Sequence, residues 1–305
     1  MGTPDFALFS LRALVEAGED VIGVVTQPDK PKGRGYTLTP PPVKVYAESV
    51  GLPVYQPNTL KGDEFATLLR TVDPELIVVV AFGKILPKNV LDYPKYGCVN
   101  VHGSILPEYR GAAPMQRAIM DGKSETGVTT MMMDVGLDTG DMLLVEKMPI
   151  EENDNFETVH DKLGAIGAHA LLETVKKMKD GTLHRQKQDD TLASYAAKIE
   201  KEDCLIDFSR TAQQVHDQIR GLSPIPLAFT HTLDGKLLKV TEAEVATTST
   251  DAPAGEVISI DGGKITVACG EGAISILAVL PEGKKRMRAA DFINGRRIKV
   301  GDRLN

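Results

Sequence analysis

The stretch "ELIVVVAFG" at 75–83 is the tightest constraint on the fold. It is apolar without a break from Leu76 to Phe82, so a strand made from it must be covered on both faces. The first half of the chain supplies the cover. "FALFSLRALVEAG" at 6–18 places Phe6, Leu11, Leu14 and Val15 at helical spacing and stops at Gly18. "DVIGVVTQ", "GCVNVHGS" and "TGVTTMMMDVG" read as further strands, with "APMQRAIMDG" as a helix between the last two. Strands separated by helices imply an α/β fold with a doubly wound, mostly parallel sheet. In such sheets ligands bind outside the carboxyl ends of the strands.

A long amphipathic helix, 155–181, ends this half. A polar linker follows, and strand signals return as hairpins. Asp234-Gly235 and Asp261-Gly262-Gly263 are turn signatures, and several short strands within about 100 residues predict a small β-barrel. The 305 residues are 42% hydrophobic and 25% charged, as in an ordinary globular protein. No apolar run of about 18 residues marks a membrane span, and the N-terminus lacks the segments of a signal peptide. Cys98, Cys204 and Cys269 lie far apart and fit buried thiols in a reducing cytosol rather than a disulfide framework or zinc site. The net charge is −7, yet residues 283–305 hold eight lysines and arginines against two aspartates, a local +6 that leaves −13 elsewhere. An acidic body with a basic end suggests one face for a polyanion, although a solvated basic tail has the same composition.

The strand "CVNVH" at 98–102 ends on two polar residues and breaks at once into a Gly, Ser and Pro loop. Side chains two apart on a strand share a face, so Asn100 and His102 project together while Val99 and Val101 pack on the other side. Asp138, in the Gly-flanked loop "MDVGLDTGD", is a third candidate, with Asp134 and Asp141 as alternatives that spacing does not separate from it. An amide donor, an imidazole and a carboxylate are the parts needed to form and collapse a tetrahedral intermediate on a carbonyl. Ser104 lacks the Gly-x-Ser-x-Gly elbow of a serine nucleophile. The histidines at 160, 169, 184, 216 and 231 show no metal-ligand spacing with His102, and no metal is expected.

Several blocks together resemble the methionyl-tRNA formyltransferases: "GTPDFA" (2–7), "TQPDKPKGRG" (26–35), "NVHGSILPEYRGAAPMQRAI" (100–119), "ETGVTTMMMDVGLDTGDML" (125–143), "YAAKIEKED" (195–203) and "LPEGKKRMRAADFINGRR" (280–297). The resemblance implies a Rossmann-like formyltransferase domain over 1–183, a linker over 184–203, and an OB-like tRNA-binding barrel over 204–305. It implies transfer of formyl from 10-formyltetrahydrofolate to the α-amino group of methionyl initiator tRNA, by a cytoplasmic monomer. Asn100, His102 and Asp138 fall on the family's catalytic trio. Ser104, Ile105, Leu106 and Pro107 fall on its folate-contact signature, with the pterin between "VAFGKIL" and the Asp138 loop. Arg34, between two glycines of a basic Pro- and Gly-rich stretch, falls where the acceptor end of the tRNA would be met. Relatives carry a short apolar strand before Gly-Thr-Pro-Asp-Phe; here Met1 abuts Gly2, and a truncated or misassigned start is expected. The chain has no tryptophan: Ile225 stands between Pro224 and Pro226, and Phe208 follows Asp207, where the family favours an indole. Two other readings are a formyltransferase acting on a nucleotide sugar or glycinamide ribonucleotide, and an inactive RNA-binding protein.

Overall fold

The computed structural model describes residues 1–32, 37–248 and 250–305. They form two compact units. The first comprises Met1–Gly111, Gly127–Met148 and His160–Tyr195, and the second Ala112–Thr126, Pro149–Val159 and Ala196–Asn305. The second unit thus takes two stretches from the part of the chain that the sequence assigns to the catalytic domain.

In chain order come α1 (Asp5–Glu16), β1 (Val24–Val25), β2 (Lys30–Lys32), β3 (Thr37–Thr39), α2 (Pro42–Ser49), β4 (Val54–Tyr55), α3 (Asp63–Val72), β5 (Ile77–Val79), α4 (Lys88–Leu91), β6 (Cys98–His102) and β7 (Arg110–Gly111). After them come α5 (Pro114–Met120), which lies in the second unit, β8 (Glu125–Met132), β9 (Met142–Pro149) and the 24-residue α6 (Phe156–Lys179). The main sheet has the order β5-β6-β8-β9. β5 and β6 are parallel, with Ile77 opposite Cys98 and Val79 opposite Asn100.

β8 corrects the sequence reading, because it runs antiparallel to β6, with Val99 opposite Met132 and His102 opposite Thr129. A parallel return needs a crossover of a dozen or more residues packed on the sheet. Here the intervening helix, α5, is seven residues long and belongs to the other unit, so the sheet is mixed. Val99 and Val101 are 0% and 3% exposed, and α6 covers that face: a Cβ built on Gly167 would lie 3.2 Å from Val101 and 3.4 Å from Val128. Asn100 and His102 take the other face. A core of Phe65, Leu69, Val79, Phe82, Val90 and Cys98 fixes the base of β6, each large side chain contributing about 1.5–3 kcal/mol.

β1 pairs in parallel with β4 and not with β5. Where a strand would join β1 to β5, Met1 and Gly2 stand instead. The Gly2 N–H donates to Val25 O at 3.0 Å, and the Val80 N–H donates to Met1 O at 2.9 Å. Beside them an apolar cavity of about 730 Å³ is lined by Leu11, Leu14, Val24, Val78 and Met178 among others.

The second unit continues with α7 (Ala212–Gly221), capped by a reciprocal Thr211–Gln214 pair. Its six-stranded β-rich sheet contains Ala228–His231, Leu237–Ala246, Val257–Asp261, Lys264–Ala268, Ala273–Pro281 and Met287–Arg288. The turns at 234–235 and 261–263 fall between successive antiparallel strands, as their Asp-Gly signatures require. Val215 and Ile219 of α7 pack with Leu238, Val240, Ile265, Ile274 and Ile276 in its core, and Phe208 is buried there too. Ile225, between its prolines, is 66% exposed.

One ion pair ties this unit together. Arg117 of α5 donates to both carboxylate oxygens of Asp203, at 3.0 and 2.7 Å, and to the carbonyls of Ala197 and Lys198. The Arg117 hydrogen bond holds the Asp203 carboxyl below its ordinary value of 3.8. A depressed acid stabilises the fold above its unfolded value and loses that contribution as pH falls through the folded one. Asp203→Asn is therefore expected to lower stability by about 1–2 kcal/mol at pH 7. The difference in melting temperature between variant and parent should shrink as pH falls below 4. A difference independent of pH would show that the carboxylate charge contributes nothing.

Candidate active site

The site is built on the carboxyl end of strand β6 and two loops. His102 is 6% exposed, and its Nε2 lies 2.9 Å from the carbonyl oxygen of Tyr109. A carbonyl only accepts, so Nε2 carries the hydrogen, and in the neutral ring Nδ1 is the bare nitrogen. Nδ1 faces Asp138 Oδ2 at 3.7 Å, too long for a hydrogen bond but close for an ion pair once the ring is charged. Asn100 is half-buried on the same face of β6, and among the described residues no hydrogen bond occupies its amide.

Asp138 reaches the imidazole by a detour. The Met133 N–H donates to Cys98 O at 2.8 Å, so the 133–141 loop leaves from the end of β6 opposite His102 and doubles back. Asp134 nucleates the turn by accepting from the Gly136 N–H at 3.0 Å and the Thr139 hydroxyl at 2.7 Å. Asp138 itself has φ +54°, in the left-handed region, and its Oδ2 accepts from the Gly111 N–H at 2.8 Å. The three aspartates that spacing left equivalent are thereby separated: Asp134 shapes the loop, the Asp141 backbone carbonyl accepts from the Met132 N–H, and Asp138 meets the imidazole.

Of the residues matched to the folate signature, Ser104 and Leu106 are buried, and Ile105 and Pro107 are half-buried. The Ser104 hydroxyl donates to Glu108 O at 2.6 Å, and Thr129 Oγ1 links Ser104 O to the Leu106 N–H. Leu106 packs with Met131 and Met142. Arg34 lies outside the described residues. Sequence reasoning missed Tyr109, Arg110 and Gly111, which touch the site as one tripeptide, and Gln188, whose amide bonds the Asp138 loop. Tyr109, Arg110 and Gly111 sit inside a block already quoted; Gln188 sits in a polar stretch with no local signal.

Two loops near the site carry exposed apolar side chains. Ile85 follows β5 and is 90% exposed, and Val135 and Leu137 in the Asp138 loop are 76% and 58% exposed. Among the described residues, no group of three or more His, Cys, Asp or Glu is placed to hold a metal ion, and no helix is long and apolar enough to cross a membrane. Cys98, Cys204 and Cys269 are free and buried, and burial pushes the Cys98 thiol up to about 12.

Residues 2–175 match the family described as formyl transferase, and residues 198–297 match the formyl transferase C-terminal domain. A methionyl-tRNA formyltransferase of Citrifermentans bemidjiense is 52% identical over 304 residues, covering 100% of this chain and 95% of the relative. One from Bacillus subtilis is 48% identical over 305 residues, covering 100% and 96%. Among solved structures, an N-formyltransferase from Helicobacter canadensis, in complex with folinic acid and dTDP-3-aminofucose, aligns with TM-score 0.68 at 20% identity over 90% of this chain and 96% of that one. The methionyl-tRNA formyltransferase from Clostridium thermocellum aligns with TM-score 0.52 at 18% identity over 82% and 99%. At such identities these structures speak for the fold. Matched in both its halves, and half identical to curated relatives along its whole length, the chain belongs to the formyl transferase family.

Proposed function

We propose that this chain transfers the formyl group of 10-formyltetrahydrofolate to the α-amino group of methionyl initiator tRNA, in the cytoplasm. The observation that carries the chemistry is the His102–Asp138 pair, with Nε2 committed to Tyr109 O and Nδ1 bare at 3.7 Å from the carboxylate. The relatives named as methionyl-tRNA formyltransferases supply the acceptor.

In the proposed reaction the amine nitrogen bonds to the formyl carbon, and the carbonyl oxygen becomes an oxyanion. The Asn100 amide donates to that oxygen, a contact of a kind worth about 2.7–4 kcal/mol. His102 Nδ1 takes the proton released by the amine, and the resulting imidazolium lies against Asp138. The same proton then passes to the folate nitrogen as its bond to the formyl carbon breaks, so His102 ends as it began. Ser104 to Pro107, and the exposed Ile85, Val135 and Leu137, are proposed to line the pterin side of the site. Flat rings suit apolar rims with few polar anchors.

The tRNA is proposed to be held by Arg34 and by the basic end of the 204–305 domain, with 1–183 catalytic and 184–203 linking. Lys284, Lys285, Arg296, Arg297 and Lys299 are exposed there, whereas Arg286 and Arg288 share Glu242. Such a surface suits a phosphate backbone.

The test is a formylation assay with the full chain and 10-formyltetrahydrofolate, offering methionyl initiator tRNA, methionyl elongator tRNA and a dTDP-amino sugar in parallel. Formylmethionine on initiator tRNA is the expected product. Formylation of the sugar only would assign the chain to small-molecule chemistry, and no product with any acceptor would overturn the enzymatic reading.

A further inference from the structure

We infer that Gln188 and Arg110 form a positioning clamp that sets the Asp138 carboxylate against His102; this rests on the proposed proton-handling role of that pair. The Asp138 backbone sits at φ +54°, a left-handed conformation that is unfavourable for a non-glycine residue, so something must hold it. Gln188 Nε2 donates to Asp138 O and to Gly140 O, both at 2.8 Å. Its Oε1 accepts from Arg110 Nε at 3.0 Å and from Arg110 Nη2 at 2.8 Å.

A carboxamide has two N–H donors and two lone pairs on oxygen, and here all four are used. Arginine has no acceptor, so Arg110 dictates which end of the amide faces it. The NH₂ end must then face the two loop carbonyls. Arg110 is itself held: its side chain is 3% exposed, and Nη2 reaches Asp190 Oδ1 at 2.7 Å.

The chain order around Arg110 makes the clamp specific to the site. Tyr109, one residue before, offers its carbonyl to His102 Nε2. Gly111, one residue after, donates its N–H to Asp138 Oδ2. One tripeptide therefore sets the imidazole tautomer, anchors the amide that holds the loop, and bonds the carboxylate. Gln188 touches neither reacting atoms nor substrate in this scheme. It is a positioning residue that acts through Asp138.

The prediction separates this role from a merely structural one. Gln188→Ala should lower kcat by about tenfold or more, because displacements near an ångström at a reacting group cost up to about 10²-fold, while KM for both substrates stays within about threefold. The same change made in an Asp138→Ala background should lower the residual kcat by less than about twofold, since the carboxylate it positions is gone. Equal factors in the two backgrounds would overturn the inference, as would an unchanged kcat with a lowered melting temperature. If Gln188→Ala does not fold, Gln188→Glu serves. It keeps an acceptor for Arg110 but loses both donors to the loop, and must reproduce the loss of kcat and its absence in the Asp138→Ala background. The parent reading fails separately: turnover unaffected by Asp138→Ala removes Asp138 from the mechanism whatever Gln188 does.

Discussion

His102→Ala is expected to reduce kcat for formylation by about 10²–10⁴, the range that a positioned acid–base group supplies. The magnitude follows from what the ring alone can do. Among the side chains brought to this face of β6, the proposed mechanism uses the Asn100 amide as donor to the oxyanion, and the Asp138 carboxylate already accepts from the Gly111 N–H. Nδ1 of His102 is the bare nitrogen, because Nε2 is fixed on Tyr109 O. Removing the ring leaves the amine proton without its acceptor, and hydroxide or buffer must serve from solution. Tyr109, Arg110 and Gly111 keep their own anchors, so the loops should stay in place. Affinity for methionyl initiator tRNA, measured by filter binding, is expected to remain within about threefold of the parent. Single-turnover rates with tRNA in excess isolate the chemical step from release. A variant that turns over at half the parental rate or better would remove His102 from the chemistry and leave the buried imidazole as a core residue.

How far the sequence foretold this site depends on the range over which each feature is set. Period-two alternation on β6 is local, and it places Asn100 and His102 on one face and Val99 and Val101 under α6 correctly. The continuous apolar run from Leu76 to Phe82 likewise predicts β5, since burial on both faces leaves no room for polar residues. Strand direction is different. Whether β8 runs with or against β6 depends on where the intervening α5 packs, and α5 packs in the other unit. No residue between 103 and 124 announces that. The choice of Asp138 over Asp134 and Asp141 depends on a loop that doubles back on itself. It becomes legible only when Met133 is seen to leave from the Cys98 end of β6. Gln188 is the extreme case, an amide in an unremarkable polar stretch whose partners lie about 50 and 80 positions away. The resemblance to methionyl-tRNA formyltransferases put the trio forward by motif, but motifs do not mark a residue that works by holding another.

The second large effect is expected from a residue with no side chain. Gly140→Ala should lower kcat by about 10²-fold while leaving the second unit and the core under β6 folded. Gly140 lies outside the positive-φ range, so its backbone suits any residue, and the demand for glycine is steric. A Cβ built there would sit 1.7 Å from the carbonyl oxygen of Met132, and that oxygen belongs to β8, which is paired to β6 through four register positions. The strand is the stiffer partner, so the loop must yield, by more than an ångström before ordinary contact is restored. Gly140 O is one of the two carbonyls held by Gln188, and Asp138 is two residues away, so the displacement reaches the carboxylate facing His102. Gly136 meets the same kind of limit, with its Cβ position 1.9 Å from Thr139 Oγ1 and 3.0 Å from Thr139 Cβ, but that obstacle is a side chain of the loop itself and can shift with it, whereas a strand carbonyl cannot. Gly136→Ala should accordingly cost less than Gly140→Ala in kcat. The two variants, assayed side by side with melting temperatures, test whether the 133–141 loop acts as a rigid arm. Equal, small effects from both would show that the loop relaxes without moving Asp138, and that the pairing with His102 forms only when substrate closes the site.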